Sequence, residues 1–304
     1  MPIIAIEHLT KDYGHGRGVF DVNICIDKGE CYGFLGPNGA GKTTTIRHLM
    51  GFSKPQNGNT SILGKNSWEN SAYLQNTVGY LPGEVALPAG LSGTAFLHMM
   101  EQMRGVKNQA YLQKLLERFE LDPHISIKQM SLGVKRKLAV VTAFMHDPDI
   151  LILDEPTSGL DPIMQETFIA FIQEEMQRGK TIFLSSHIFH EVDAVCDRIA
   201  IIRDGKIVSE FQSEELKRKH DRIYRITFSN IESYLRFIEK PFTFTSKNKE
   251  KLRARVQIPA DQVGTLTASL KDFIIADFVE IPFTLEDYFM EFYDTRHHFE
   301  GVKQ

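Results

Sequence analysis

The sequence predicts an α/β fold with a mainly parallel core sheet, followed by a second, smaller α+β domain, and three observations predict it. Short apolar runs at Cys31-Tyr32-Gly33-Phe34-Leu35, Ile150-Leu151-Ile152-Leu153 and Thr181-Ile182-Phe183-Leu184-Ser185 have the length and continuity of strands buried on both faces. Helical segments separate such runs, as parallel strand connections require: 162–178, with Pro162 at its first turn, lies between the second and the third. Beyond residue 220 the pattern changes to strand (223–228), helix (230–239), strand (242–246), strand (252–258), helix (261–272) and strand (274–281), the order of a ferredoxin-like domain.

The remaining elements follow in chain order. Phe20, Val22, Ile24 and Ile26 alternate with Asp21, Asn23, Cys25 and Asp27, the period of a strand with one buried face. The run 31–35 leads through a glycine-rich loop into a helix beginning near Lys42. Residues 85–146 form a helical insert, in which Leu112, Leu115, Leu116 and Phe119 share one apolar face. Asp204-Gly205 between two apolar runs signals a tight hairpin. The charged stretch 214–221 closes the first domain, so the chain is divided into 1–219 and 220–304. A last amphipathic helix is expected at 285–293.

Composition narrows the function. A chain of 304 residues with 42% hydrophobic and 24% charged residues buries a sizeable core. Its net charge of -4 supplies no basic field for nucleic acid, so none is expected as a partner. Three cysteines, Cys25, Cys31 and Cys196, have no metal-ligand spacing and read as buried thiols of a reducing compartment. The amino-terminal residues carry neither the basic segment nor the apolar stretch of a secretory signal, and no apolar run approaches the ~18 residues that span a bilayer. Any work at a membrane is expected to pass through a partner.

Two motifs carry chemistry. Gly36-Pro37-Asn38-Gly39-Ala40-Gly41-Lys42-Thr43 satisfies G-x-x-x-x-G-K-[ST] between a buried strand and a helix, where inward-turned backbone N–H groups and the helix start attract phosphate. Lys42 is placed to reach the terminal phosphates, Thr43 to ligate Mg²⁺, and Thr44 to add a phosphate contact. Asp154 and Glu155 end an apolar strand, which sets two carboxylates at the sheet edge facing the ligand crevice. Asp154 is the candidate Mg²⁺ partner, and Glu155 the candidate group that polarises attacking water.

With these in place the sequence resembles the nucleotide-binding subunits of ABC transporters over about residues 3–218. Met130-Ser131-Leu132-Gly133-Val134 is similar to the family signature, Ser158-Gly159-Leu160-Asp161 to its D-loop, and His187 after Ser185-Ser186 to its switch histidine. Tyr13 occupies the position of the aromatic that stacks on adenine; a core tyrosine is the other reading. The resemblance implies a P-loop ATPase with an antiparallel β subdomain, a helical subdomain and the accessory carboxyl-terminal domain. It further implies ATP hydrolysis with Mg²⁺ at a head-to-tail dimer of identical chains, with Ser131 and Gly133 facing the nucleotide of the other subunit. A separate membrane permease, an export role and a cytoplasmic place on the inner membrane face complete it. A soluble ABC ATPase without a permease and a weakly hydrolysing regulatory subunit are the alternatives.

The chain also departs from the family. Gly83 stands where a glutamine usually senses Mg²⁺, which leaves Glu84 as the expected substitute at the metal. Leu132 and Val134 replace a glycine and a glutamine in the signature. Lys135, Arg136 and Lys137 read as a solvated basic helix face before they read as ligands for anionic charge. Asp287, Glu291, His297 and His298 read as a solvated helix and tail rather than a metal site.

Overall fold

Alternation of apolar and polar side chains builds the first sheet. In the computed structural model, which describes residues 2–105, 108–215, 221–281 and 284–289, β1 (Ile4–Asp12) pairs antiparallel with β2 (Gly18–Ile26), Ile4 opposite Ile26 and Ile6 opposite Ile24. Val22, Ile24 and Ile26 are buried while Asp21, Asn23 and Cys25 face outward, as the period of two requires. Cys25 is therefore exposed rather than buried; Cys31 and Cys196 are buried, and burial pushes the Cys196 thiol up.

β3 (Cys31–Leu35) is buried at every position and gives way to α1 (Lys42–Leu49). Next, β4 (Asn57–Ile62) and β5 (Lys65–Asn66) complete a four-stranded antiparallel sheet in the order β2-β1-β4-β5. After α2 (Ser71–Thr77) and β6 (Val78–Leu81) comes the helical region, α3 (Gly93–Arg104), α4 (Gln109–Arg118) and α5 (Leu132–Phe144). Leu112, Leu115 and Phe119 are buried on one side of it, and Leu116 is half-buried.

β7 (Ile150–Asp154), α6 (Pro162–Gln177), β8 (Thr181–Ser186), α7 (Phe189–Val195), β9 (Arg198–Arg203) and β10 (Lys206–Gln212) finish the larger unit. Its core sheet has the order β10-β9-β3-β8-β7-β6, and all neighbours are parallel except β9 and β10. Asp204 and Gly205 both take positive φ, 49° and 74°, in the hairpin that joins those two strands. Parallel register brings the carboxyl ends of β3, β6, β7 and β8 to one edge, where Asp154 lies beside Ser185 and Leu35 beside Ser186. Loops leaving that edge carry the chemistry.

The chain divides into two compact units, Met1–Ser213 and Glu214–Gln304. In the second, β11 (Arg222–Phe228), α8 (Ile231–Ile238), β12 (Thr243–Asn248), β13 (Arg253–Ile258), α9 (Val263–Ser269) and β14 (Ile275–Ile281) follow one another, with sheet order β12-β13-β11-β14 and antiparallel neighbours throughout. This is the ferredoxin-like arrangement. The helix expected at 261–272 is α9 flanked by 3₁₀ turns at 260–262 and 270–272. Residues 285–289 are helical, opened by reciprocal hydrogen bonds in which Thr284 N donates to Asp287 and Asp287 N to the Thr284 hydroxyl. Residues 290–293 of the expected closing helix, Glu291 among them, lie outside the described residues, as do His297, His298 and 216–220 of the charged stretch.

The core of this unit centres on Phe237, fully buried, with the rings of Phe228, Phe242, Phe244 and Phe273 all within 5.8 Å of its centroid. Truncation there leaves a void that rigid sheet and helix cannot close. Phe237→Ala is expected to destabilise the carboxyl-terminal unit by about 3–5 kcal/mol, read as a shifted midpoint in urea melts of the full chain.

Candidate active site

The loop between β3 and α1 wraps tightly because Gly36 and Gly41 leave no room for a side chain where it turns back on the sheet. A Cβ on Gly36 would lie 2.4 Å from the carbonyl of Ile202, so only glycine fits at the start of the cradle. Lys42, at the first position of α1, is 4% exposed; its Nζ donates to the carbonyls of Gly36 at 2.7 Å and Pro37 at 3.1 Å. It thereby curls the loop around its own ammonium group. Thr44, Asn38 and Gly39 line a cavity of about 440 Å³ in front of it, together with Tyr13, Arg17 and Glu155.

Two carboxylates close the other side. Asp154 is fully buried, accepting from the Thr43 hydroxyl at 2.8 Å and from the Ser185 hydroxyl. A hydroxyl and a carboxylate side by side at a helix start form a hard-oxygen pair suited to Mg²⁺. The next residue turns sharply: Glu155 has φ 47°, a left-handed conformation that costs a non-glycine residue on the order of 1 kcal/mol or more. That turn sets its carboxylate between two partners. Oε1 lies 3.1 Å from Lys42 Nζ, and Oε2 lies 3.0 Å from His187 Nδ1.

One buried cation underlies these segments. Arg136, 1% exposed, donates to the carbonyls of Pro82, Gly83, Asp154, Glu155 and Pro156. Burial pushes its guanidinium down to about 10, against the opposing pull of Asp154, Glu191 and Glu155. Nearby, Glu191 accepts from the Ser186 hydroxyl, and burial raises its carboxyl.

The sequence-predicted residues thus fall into two sets. Lys42, Thr43, Thr44, Asp154, Glu155 and His187 converge, with Gly36, Asn38, Gly39, Ala40 and Gly41 forming the loop above them. Tyr13 stands at the cavity rim 57% exposed, which removes the core reading. Glu84 is exposed and lines an adjoining cleft of about 560 Å³ that shares Thr43 and Glu155 with the first. Ser131, Gly133 and Asp161 are not brought to either hollow. Ser131 caps α5 by accepting from Val134 N, Asp161 caps α6 by accepting from Met164 N, and Gly133 lies against the Gly159 carbonyl. Two larger hollows, about 720 and 730 Å³, carry none of the predicted site residues.

Two contributors escaped the sequence reading. Ser185 fixes the second oxygen of Asp154, and no pattern distinguishes it from an ordinary strand serine. Arg136 was expected on a solvated face, yet it is buried, while Lys135 and Lys137 are half-buried. Its spacing from buried Ala139, Val140 and Ala143 is the three, four and seven of one inward helix face, a signal that was present.

The domain family described as ABC transporter matches residues 19–158. Over 243 residues the chain is 35% identical to the bacitracin transport ATP-binding protein BcrA of Bacillus licheniformis, covering 79% of each. The chain belongs to the family of ABC transporter ATP-binding proteins. A BcrA of Enterococcus faecalis is 30% identical over 292 residues, 94% of this chain and 95% of that one. Among solved structures, one described as the ATP binding subunit of an ABC transporter superposes with a TM-score of 0.65 at 28% identity, covering 71% of this chain and 92% of the other. As a member of the ABC family the chain binds ATP and is an ATPase, and among the described residues no helix is long and apolar enough to cross a membrane.

Against this family frame Gly83 has a local cause. A Cβ there would sit 3.0 Å from Asp154 Oδ2, so a side chain in this backbone crowds the carboxylate, which must give by a few tenths of an ångström. Gly83→Ala is expected to lower ATPase kcat about three- to tenfold with the melting temperature nearly unchanged, measured by phosphate release and thermal denaturation.

Proposed function

We propose that this chain is the motor subunit of an exporter, working as a head-to-tail pair beneath a separate membrane permease on the cytoplasmic face. The observation that carries the hydrolytic part is the continuous line Lys42–Glu155–His187, with Asp154 holding Thr43 directly beside it. Lys42 binds the terminal phosphates of ATP, exchanging its carbonyl contacts for phosphate oxygens. Glu155 accepts the proton of the attacking water, and His187, within hydrogen-bond reach of that carboxylate, contacts the γ-phosphate and orients the base. Thr43 and Asp154, with Glu84 as an added ligand, would hold Mg²⁺, which would supply positive charge against the terminal phosphates. Tyr13, exposed at the rim, stacks on adenine.

Ser131 and Gly133 complete the other subunit's site. The exposure of Ser131 at the start of α5, with neighbouring Leu132 67% exposed, supports a role across an interface rather than within one chain, and Gly133, half-buried, lies in the same first turn. Asp161, exposed at the start of α6, belongs to the same surface. Export is favoured by the relatives, whose names refer to bacitracin transport and Nod factor export. Their cargo is theirs; here the path belongs to the permease.

The test is Glu155→Gln. Turnover should fall at least about a hundredfold while ATP still binds, and light scattering in saturating Mg·ATP should register a stable dimer. Retained hydrolysis overturns the role of Glu155, and a strictly monomeric variant, alone and with its permease, overturns the paired site.

A further inference from the structure

Arg136 offers five N–H donors, and each meets a carbonyl. Nε donates to Pro156 at 2.9 Å, Nη1 to Pro82 at 2.6 Å and Gly83 at 3.1 Å, and Nη2 to Asp154 at 3.1 Å and to Glu155. A guanidinium held away from water is tolerated only when its donors are satisfied, and here backbone alone satisfies them. The acceptors belong to two separate segments. Pro82 and Gly83 follow β6, residues 154–156 form the end of β7 and the turn beyond it, and Arg136 itself projects from the second turn of α5. One rigid, planar group therefore joins the signature helix to both loops that border the Mg²⁺ side of the site.

Glu155 depends most on this joint. Its left-handed backbone persists only if its surroundings over-determine it, and Nη2 of Arg136 grips the carbonyls on both sides of that torsion, those of Asp154 and Glu155. The hydrogen bonds from Glu155 N to Ser185 fix the third corner. At the Gly83 carbonyl the same guanidinium holds a residue that has no side chain of its own to anchor it. A lysine would keep the charge and lose the fork, since an ammonium presents three donors from a point and cannot span five carbonyls.

We infer that Arg136 is a positioning residue for hydrolysis, which locks the strained turn at Glu155 to α5 so that the carboxylate stays aimed between Lys42 and His187. The inference rests on Glu155 acting as the base. It assigns Arg136 no contact with nucleotide, so binding and turnover should separate when it is changed.

The experiment compares Arg136→Lys and Arg136→Ala in the full chain, with kcat normalised to the folded fraction and ATP binding titrated in parallel. Arg136→Lys should lower kcat about twentyfold while KM and nucleotide affinity stay within about twofold. In Arg136→Ala, millimolar methylguanidinium should restore about fivefold or more of the lost kcat, whereas methylammonium should not. A normal kcat in Arg136→Lys, or equal rescue by both cations, overturns the inference; should Arg136→Ala not fold, the lysine variant decides alone. If Glu155→Gln loses turnover and Arg136→Lys keeps it, only the positioning role fails. If Glu155→Gln keeps turnover, the reading beneath it fails.

Discussion

The site depends on a carboxylate kept entirely from water. Asp154 ends strand β7 with one oxygen held by Thr43, at the start of α1, and the other by Ser185, at the end of β8. A buried anion satisfied only by neutral hydroxyls is costly, and it is tolerable here because a buried guanidinium lies behind it and a divalent cation suits the space in front. The same clamp draws the phosphate loop against the sheet edge. The phosphate loop, Asp154 and the turn at Glu155 are therefore one mechanical assembly.

Much of the fold was readable because each element states its own environment. Residues 31–35 and 150–153 are apolar without alternation since both faces of β3 and β7 are covered, whereas 20–26 alternate because β2 is covered on one side only. Asp204-Gly205 named its hairpin, and the strand-helix order beyond residue 220 named a sheet whose strands are far apart in sequence. The cradle and its two acids were legible for a related reason: Gly36 through Thr43 must have their backbone conformation written into residue type.

What stayed hidden depends on partners that sequence does not display. Nothing about Ser185 marks it until β8 lies beside β7. Arg136 has the spacing of the inward face of α5, but the five carbonyls that make its burial tolerable lie on two distant segments, so a reading from charge alone placed it outside. Gly83 looked like a missing side chain; with Asp154 Oδ2 3.0 Å from where its Cβ would be, it is a position where a side chain would crowd that carboxylate. In each case the decisive atoms are main-chain or belong to a neighbour that only folding supplies.

Ser131 carries a final consequence. Its oxygen accepts the Val134 N–H and so secures the first turn of α5, but a lone pair used in this way leaves the hydroxyl hydrogen uncommitted. The hydroxyl that caps its own helix thus keeps a proton to donate, and replacing Ser131 by alanine removes cap and donor together. Loss of that hydroxyl therefore loosens the start of α5 within the protomer itself, whatever it does across a pair.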